Sequence, residues 1–132
     1  MSFLLDTDIC SAYLKGDRRL ANRFLQYSGQ LNISVITLGE LFAWALRRKS
    51  PKKRIQGVLK LLSDVSLHNV THDIARVFGE VRADLLDRGL PAPKLDLFIA
   101  ATALAHNFTL VTHNVADYQN VPNLRVVDWL VP

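Results

Sequence analysis

Five short apolar runs constrain the fold of this chain more than any other feature of its sequence. They lie at residues 3–5, 33–36, 65–70, 109–112 and 125–127. Most are continuous rather than alternating, which is typical of strands covered on both faces of a parallel sheet. The segments between them have helical patterns. The sequence therefore predicts an α/β fold, a three-layer α/β/α sandwich around a central, mainly parallel sheet of about five strands.

Six helices are predicted between these strands. We expect Thr37 to start the third helix and Pro51 to mark its end, because a residue before proline disfavours helical geometry. We expect Thr71 to cap a long helix that Gly89 terminates. The predicted helices are 9–15, 18–27, 37–49, 52–63, 71–89 and 95–106.

The composition is that of an ordinary globular protein. The 132 residues, 49% of them hydrophobic and 21% charged, suit a single domain over 1–132. The one cysteine, Cys10, cannot form an intramolecular disulfide, so no oxidising compartment is needed. We see no signal peptide, and no apolar stretch reaches the ~18–20 residues that cross a bilayer. We therefore expect a cytoplasmic protein with no membrane association.

The charge distribution fits a polyanionic partner. Sixteen basic and twelve acidic residues give a net charge of +4. Six of the eight residues from Arg47 to Arg54 are basic. This run either contacts nucleic-acid phosphates or forms the solvated end of a helix, where cations are also favoured.

Several acidic residues lie where apolar runs end. Asp6 directly follows the first run, and Glu40 lies one helical turn beyond the second. Asp117 and Asn114 lie in the loop after the fourth run, and Asp96 opens a helix. Ligands of parallel sheets bind beyond the carboxyl ends of the strands. These side chains could therefore meet at one edge of the sheet.

Such a cluster of carboxylates has a chemical consequence. Two carboxylates ~5 Å apart repel by roughly 3 kcal/mol at an effective dielectric constant of about 20, so four together would need a cation. Ligands that are all oxygen favour Mg²⁺ or Mn²⁺ over zinc. Such an ion can activate water and stabilise charge on a phosphodiester. Carboxylates that meet in this way could therefore support metal-dependent hydrolysis of phosphodiesters.

Each acid also has a purely structural interpretation. Asp6 could cap the helix that follows it. Glu40 could complete a capping box with Thr37, in which a glutamate bonds back to the start of its helix. Asp96 suits a first helical turn because of the helix dipole, and Asp117 suits a turn. These residues considered one at a time leave both interpretations open.

Short motifs around these acids follow one another along nearly the whole chain, at 3–8, 34–41, 96–101 and 112–118. Their order and spacing resemble the motifs of the PIN-domain family, in particular the VapC-type toxins of toxin–antitoxin pairs. The resemblance implies a Mg²⁺- or Mn²⁺-dependent endoribonuclease that acts on RNA. It also implies a homodimer and inhibition by a cognate small antitoxin.

The resemblance also implies roles for individual residues. Asp6, Glu40 and Asp96 match the catalytic metal ligands of the family. Asp117 is the candidate for the fourth catalytic position, and both it and Asn114 are candidates for the fourth metal ligand.

Three residues depart from the family pattern. Asp8 stands where these toxins usually have asparagine, so it either adds negative charge to the site or caps a helix. Trp44 stands where glycine is common, and Pro93 stands where a small residue is usual. The last two affect the expected surface shape, and so the substrate and partner, more than the chemistry.

The third predicted helix has an apolar face wider than a single buried stripe. Its aromatic residues, Phe42 and Trp44, therefore suggest an interface, either of a homodimer or with an antitoxin, because aromatics are enriched at interfaces. The alternative is a helix that is covered by the core on two sides.

Other functional classes also fit parts of the sequence. Asp6 and Asp8 after an apolar strand resemble the Asp-x-Asp opening of haloacid-dehalogenase-like phosphatases, although the chain is short for that fold. A receiver domain is disfavoured because its phosphorylated aspartate would follow the third strand, which here ends at His68 and Asn69. A catalytically degenerate module that only binds RNA is a further alternative.

Overall fold

The computed structural model describes residues 1–47 and 51–132, and in these residues five strands alternate with six α-helices and one 3₁₀ helix. None of the described helices has the length and apolar character required to cross a membrane. The strands are β1 Phe3–Leu5, β2 Leu31–Ser34, β3 Ser66–His68, β4 Thr109–Val111 and β5 Val126–Val127. The helices are α1 Thr7–Leu14, α2 Arg18–Gln26, α3 Val35–Ala45, α4 Pro51–Asp64, α5 His72–Asp87, α6 Lys94–His106 and the 3₁₀ helix η1 Val115–Tyr118.

The strands form one parallel sheet in the order β3-β2-β1-β4-β5. The chain builds outward from β1 to β3 and then returns to place β4 on the other side of β1. The carboxyl ends of β1 and β4 therefore meet where the strand order reverses, which is where open α/β sheets bind ligands. The amide of Asp6 donates to the carbonyl of Val111 at 2.9 Å, which extends this pairing one residue beyond β1.

Both faces of β1, β2 and β4 are covered, which explains their continuous apolar runs, whereas Leu67 in the edge strand β3 is exposed. Phe3 and Leu5 face a cluster formed with α1, α2, α3 and α4, and this cluster also buries Cys10. Leu4 and Leu110 face the opposite way, toward α5 and α6. Alternate residues of a strand thus enter two different cores. The predicted three-layer α/β/α architecture is confirmed.

The start of α3 differs from the prediction. The strand predicted at 33–36 ends at Ser34, whose hydroxyl accepts the amide of Ile36 at 3.1 Å and caps the helix. Thr37 is buried within the first turns instead of preceding them. The capping box of Thr37 and Glu40 is therefore wrong, because a serine three residues earlier already caps this helix. The helix ends at Ala45, and the predicted continuation to 49 enters residues 48–50, which lie outside the described residues.

The expected ends of α5 are confirmed. The hydroxyl of Thr71 accepts the amide of Ile74 at 3.3 Å, as a helix cap does. Gly89 follows the helix with a φ of +69°, a conformation that favours glycine and terminates helices.

The aromatic residues of α3 lie at the edge of the core. Phe42 and Trp44 are half-buried and pack against the cluster of α1 to α4, so the core accounts for part of their apolar surface. The guanidinium of Arg54 lies 5.0 Å from the centre of the Trp44 ring.

Within the predicted basic run, Lys52 and Lys53 are exposed in the first turn of α4, whereas 48 and 49 fall outside the described residues. The interface on this helix and the phosphate contacts of the run stay predictions.

The new assignment of the α3 cap predicts the effect of a substitution. Ser34→Ala should lower the free energy of unfolding by about 1 kcal/mol, because it leaves the amide of Ile36 without its acceptor. Urea denaturation measures the change. Ser28→Ala, at an exposed serine, is the control and should have little effect. Equal losses in the two variants would show that Ser34 is not the cap.

Candidate active site

The carboxylate of Asp6 is buried at the end of β1 and is surrounded by donors. Its Oδ1 accepts the amide of Thr7 at 2.8 Å. Its Oδ2 accepts the hydroxyl of Thr112 at 2.8 Å and the hydroxyl of Tyr118 at 3.0 Å. Asp6 is therefore the N-cap of α1, as its structural interpretation proposed. The same side chain also reaches the residues that follow β4, so capping does not exclude a second role.

Asp8 fastens α1 to the loop after β4. Its Oδ1 accepts the amide of Ile9 at 2.8 Å, and its Oδ2 accepts the amide of His113 at 3.0 Å. Burial and then the charge of Asp6 raise the pKa of Asp8, although the backbone amides of His113, Ile9 and Asn114 act in the opposite direction. Asp8 thus adds charge to the site and also holds the loop in place.

Glu40 lies in α3 and is half-buried. Its Oε1 accepts the hydroxyl of Thr7 at 2.7 Å, and that hydroxyl lies 3.1 Å from the hydroxyl of Thr37. Thr37 can therefore donate to Thr7, which donates to Glu40. This short chain of hydroxyls replaces the capping box and aims Glu40 at the start of α1.

Asp96 lies in the first turn of α6, half-buried and close to the other acids. Burial raises the pKa of Asp96, and the charges of Asp6, Asp117, Glu40 and Asp8 raise it further, in that order of size. Four elements that are distant in sequence thus bring five carboxylates within electrostatic reach of one another.

Asp117 and Asn114 are placed differently, although both are exposed. Asp117 lies in η1 and lines a cleft of about 400 Å³ together with Asp96. Asn114 approaches the site through its backbone, since its amide donates to the hydroxyl of Thr112 at 3.1 Å. Asp117 thus presents its carboxylate to the cleft, and both residues stay candidates for the fourth site position.

Three hydroxyl residues of the site had no role in the sequence analysis: Thr7, Thr112 and Tyr118. Each stands next to a strand end or to a predicted acid. Thr112 directly follows β4, so a sequence argument could have found it once β4 was known to pair with β1. Tyr118 follows Asp117, and nothing in the sequence indicates that its hydroxyl turns inward to Asp6.

The donor set fits a hard divalent cation. All the candidate ligands are carboxylate or amide oxygens, and a cation would relieve the burial and the neighbouring negative charges that raise the pKa of Asp96. In the described part of the chain, no group of three or more His, Cys, Asp or Glu side chains is arranged to hold a metal ion. A Mg²⁺ ion usually keeps several waters and takes only one or two carboxylates directly.

Comparison with known proteins identifies the family. The family model of the PIN domain matches residues 3–123 of this chain. The chain belongs to the PIN-domain family. Membership overturns the alternative of a haloacid-dehalogenase-like phosphatase, and PIN-domain nucleases generally depend on divalent metal ions.

The similarity to individual members of the PIN-domain family extends over the whole chain. The chain is 28% identical over 130 residues to the tRNA(fMet)-specific endonuclease VapC of Salmonella typhimurium, covering 98% of each. It is 32% identical over 133 residues to Ribonuclease VapC2 of Rickettsia felis, again covering 98% of each.

Solved structures of PIN-domain proteins have the same fold. A chain of DNA-bound VapBC from Salmonella typhimurium superposes with a TM-score of 0.93 at 28% identity, covering 98% of both chains. A chain of VapBC2 from Rickettsia felis, bound to a DNA fragment from the promoter, superposes with a TM-score of 0.91 at 29% identity, covering 98% of this chain and 99% of that one.

The electrostatics of Asp96 predict how stability depends on pH. A carboxyl whose pKa is raised by folding destabilises the folded chain as pH rises through the interval between its ordinary value of 3.8 and its raised value. Asp96→Asn removes this penalty, so without metal it should raise the melting temperature relative to the unsubstituted chain more at pH 7 than at pH 4.

Thermal melts in EDTA measure this difference. Asp73→Asn, on an aspartate whose side chain is 94% exposed, is the control and should change little at either pH. If Asp96→Asn shifts the melting temperature equally at both pH values, Asp96 carries no such penalty.

Proposed function

We propose that this chain is a metal-dependent endoribonuclease and the toxin of a type II toxin–antitoxin pair. The observation that carries the proposal is the convergence of Asp6, Glu40, Asp96 and Asp117 beyond the ends of β1 and β4. The relatives named as VapC ribonucleases support the activity, and the VapBC complexes among the similar structures support the antitoxin.

The chain's own residues define how the site would act on RNA. Asp6, held by three donors, Glu40, aimed by Thr7, and Asp96 would hold one Mg²⁺ or Mn²⁺ ion, partly through the ion's own waters, with Asp117 at the exposed rim. When bound, the divalent cation supplies the positive charge that activates water and stabilises negative charge on the scissile phosphate.

Access to the site is set by the exposure of its acids. Asp96 and Asp117 line the open cleft, whereas Asp6 lies buried beside them. RNA would therefore approach along the cleft between the start of α6 and η1. The buried acid needs no rearrangement to stay in place, because its three hydrogen bonds already fix it.

Substitutions of the proposed ligands test the activity. Asp6→Asn and Glu40→Gln should each reduce Mn²⁺-dependent RNA cleavage by more than the 10- to 100-fold that is typical for partners of metal ligands. Glu40→Gln keeps an oxygen that can accept the hydrogen bond from Thr7. A loss of activity in this variant would therefore be due to the missing negative charge. tRNA(fMet) is the first RNA to assay, because the Salmonella relative is specific for it.

The control for this assay is Asp73→Asn, which should cleave RNA like the unsubstituted chain. Undiminished cleavage by either site variant would refute its assignment as a ligand. If the unsubstituted chain binds RNA but never cleaves it with Mg²⁺ or Mn²⁺, the chain is a degenerate RNA-binding module.

We propose that the antitoxin docks in a groove on the other side of the molecule from α5 and α6. The groove has a volume of about 640 Å³ and lies between α1, α2 and the end of α4. Its lining combines apolar side chains, among them Tyr13, Phe24, Leu25 and Leu31, with polar ones such as Asp64. Leu25 is 79% exposed. The similar structures are toxin–antitoxin complexes, and an antitoxin bound in this groove could cover Leu25.

A charge placed in the groove tests this docking. Leu25→Glu should weaken binding of the cognate antitoxin while leaving RNA cleavage intact, because the groove is separate from the carboxylates. Leu86→Glu changes another exposed leucine, on α5, and serves as the control. Isothermal titration with the purified antitoxin gives the affinities. Equal affinity of both variants for the antitoxin would locate the partner elsewhere.

The remaining expectations are proposals of the same kind. We propose a homodimer that acts in the cytoplasm, where its RNA substrates and its antitoxin are made. Lys52 and Lys53 would contribute phosphate contacts, which reverse-charge variants and the salt dependence of RNA binding can test.

A further inference from the structure

The hydroxyl of Tyr118 makes an unusual contact for a buried tyrosine. The side chain is 2% exposed, and its ring belongs to the core between the sheet and α5 and α6. Its hydroxyl donates to Oδ2 of Asp6 at 3.0 Å, the same oxygen that accepts from Thr112. A tyrosine hydroxyl can donate and a carboxylate can only accept, so Tyr118 is the donor in this bond.

The same tyrosine determines the position of a second acid. Tyr118 is the last residue of η1, a helix of four residues in which Asp117 is its direct neighbour. The amide of Asp117 donates to the carbonyl of Asn114 at 3.0 Å, whereas its carboxylate is exposed and makes no hydrogen bond within residues 1–47 and 51–132. Its place therefore depends on the backbone of η1. That backbone is anchored at one end by Asp8, which binds His113, and at the other by Tyr118.

We propose that Tyr118 is a positioning residue that couples the geometry of Asp6 to that of Asp117, an inference that rests on the proposed metal-dependent function. Its hydroxyl fixes which way Oδ2 of Asp6 points and holds η1 at the distance that this bond requires. The hydroxyl touches neither substrate nor ion in this role. It acts by holding Asp6 and Asp117 in a fixed relative position, so that a cation binds an arrangement that is already formed.

The test is the pair Tyr118→Phe and Tyr27→Phe. Tyr118→Phe keeps the buried ring and removes only the donor to Asp6. Tyr27→Phe makes the same chemical change at a tyrosine that stacks on Trp129 in the opposite core, away from the carboxylates. Isothermal titration of Mn²⁺ into the full chain without RNA measures ion affinity. Cleavage of RNA across a series of Mn²⁺ concentrations measures the catalytic consequence.

We expect Tyr118→Phe to weaken Mn²⁺ binding by about 10-fold or more, as loss of a partner of a metal ligand does. Cleavage by this variant should recover at least in part at high Mn²⁺ concentration, which a general loss of structure would not allow. Tyr27→Phe should bind Mn²⁺ like the unsubstituted chain. If Tyr118→Phe binds Mn²⁺ as tightly as Tyr27→Phe, the positioning role is overturned.

A second variant covers the case in which Tyr118→Phe does not fold. Thr112→Val removes the other donor to the same oxygen, and Thr112→Ser retains it. We expect weaker Mn²⁺ binding only for valine, and equal binding by both variants would overturn the coupling. An unsubstituted chain that binds no Mn²⁺ would overturn the coupling and the metal assignment together. Binding of Mn²⁺ without RNA cleavage would overturn the nuclease function alone.

Discussion

The repulsion among carboxylates at one edge of the sheet is the constraint on which this structure depends. Burial and then the charges of Asp6, Asp117, Glu40 and Asp8 raise the pKa of Asp96, and burial and then the charge of Asp6 raise that of Asp8. Within residues 1–47 and 51–132, neutral donors hold Asp6, Asp8 and Glu40 in place. The amides of Thr7, Ile9 and His113 and the hydroxyls of Thr7, Thr112 and Tyr118 supply the bonds. Neutral donors orient these carboxylates without cancelling their charge, so that the charge remains available to a cation.

The architecture was predictable because its cause is visible in the sequence. Every residue of the runs 3–5 and 109–111 is buried. Continuous burial of this kind is typical of parallel strands that have helices on both faces of the sheet. The start of α3 was not predictable, because Ser34 and Thr37 are both good helix caps. The residues between them, Val35 and Ile36, are apolar and β-branched, so they suit a strand as well as a helix. Only the bond from Ile36 to Ser34 decides the case.

The candidate site was predictable to the level of its acids and no further. Strand ends and helix starts indicated Asp6, Glu40, Asp96 and Asp117, since carboxyl ends of parallel strands share an edge. The hydroxyls that orient them could not be found, because threonine and tyrosine are common residues and their roles depend on which strands are neighbours. The reversal that sets β4 beside β1 brings Thr112 to Asp6 across 106 positions of sequence.

The burial of Cys10 has a practical consequence for spectroscopy. It is the chain's one cysteine, it is fully buried in α1, and burial followed by the charges of Asp6 and Asp8 raises the pKa of its thiol. Thiol-directed dyes and spin labels react with accessible thiolates and would leave it untouched. A cysteine introduced at exposed Gln119, next to η1, would therefore take up a label alone. The native chain therefore serves as a cysteine-free background, in which a label at position 119 reports changes around η1 when ions or RNA bind.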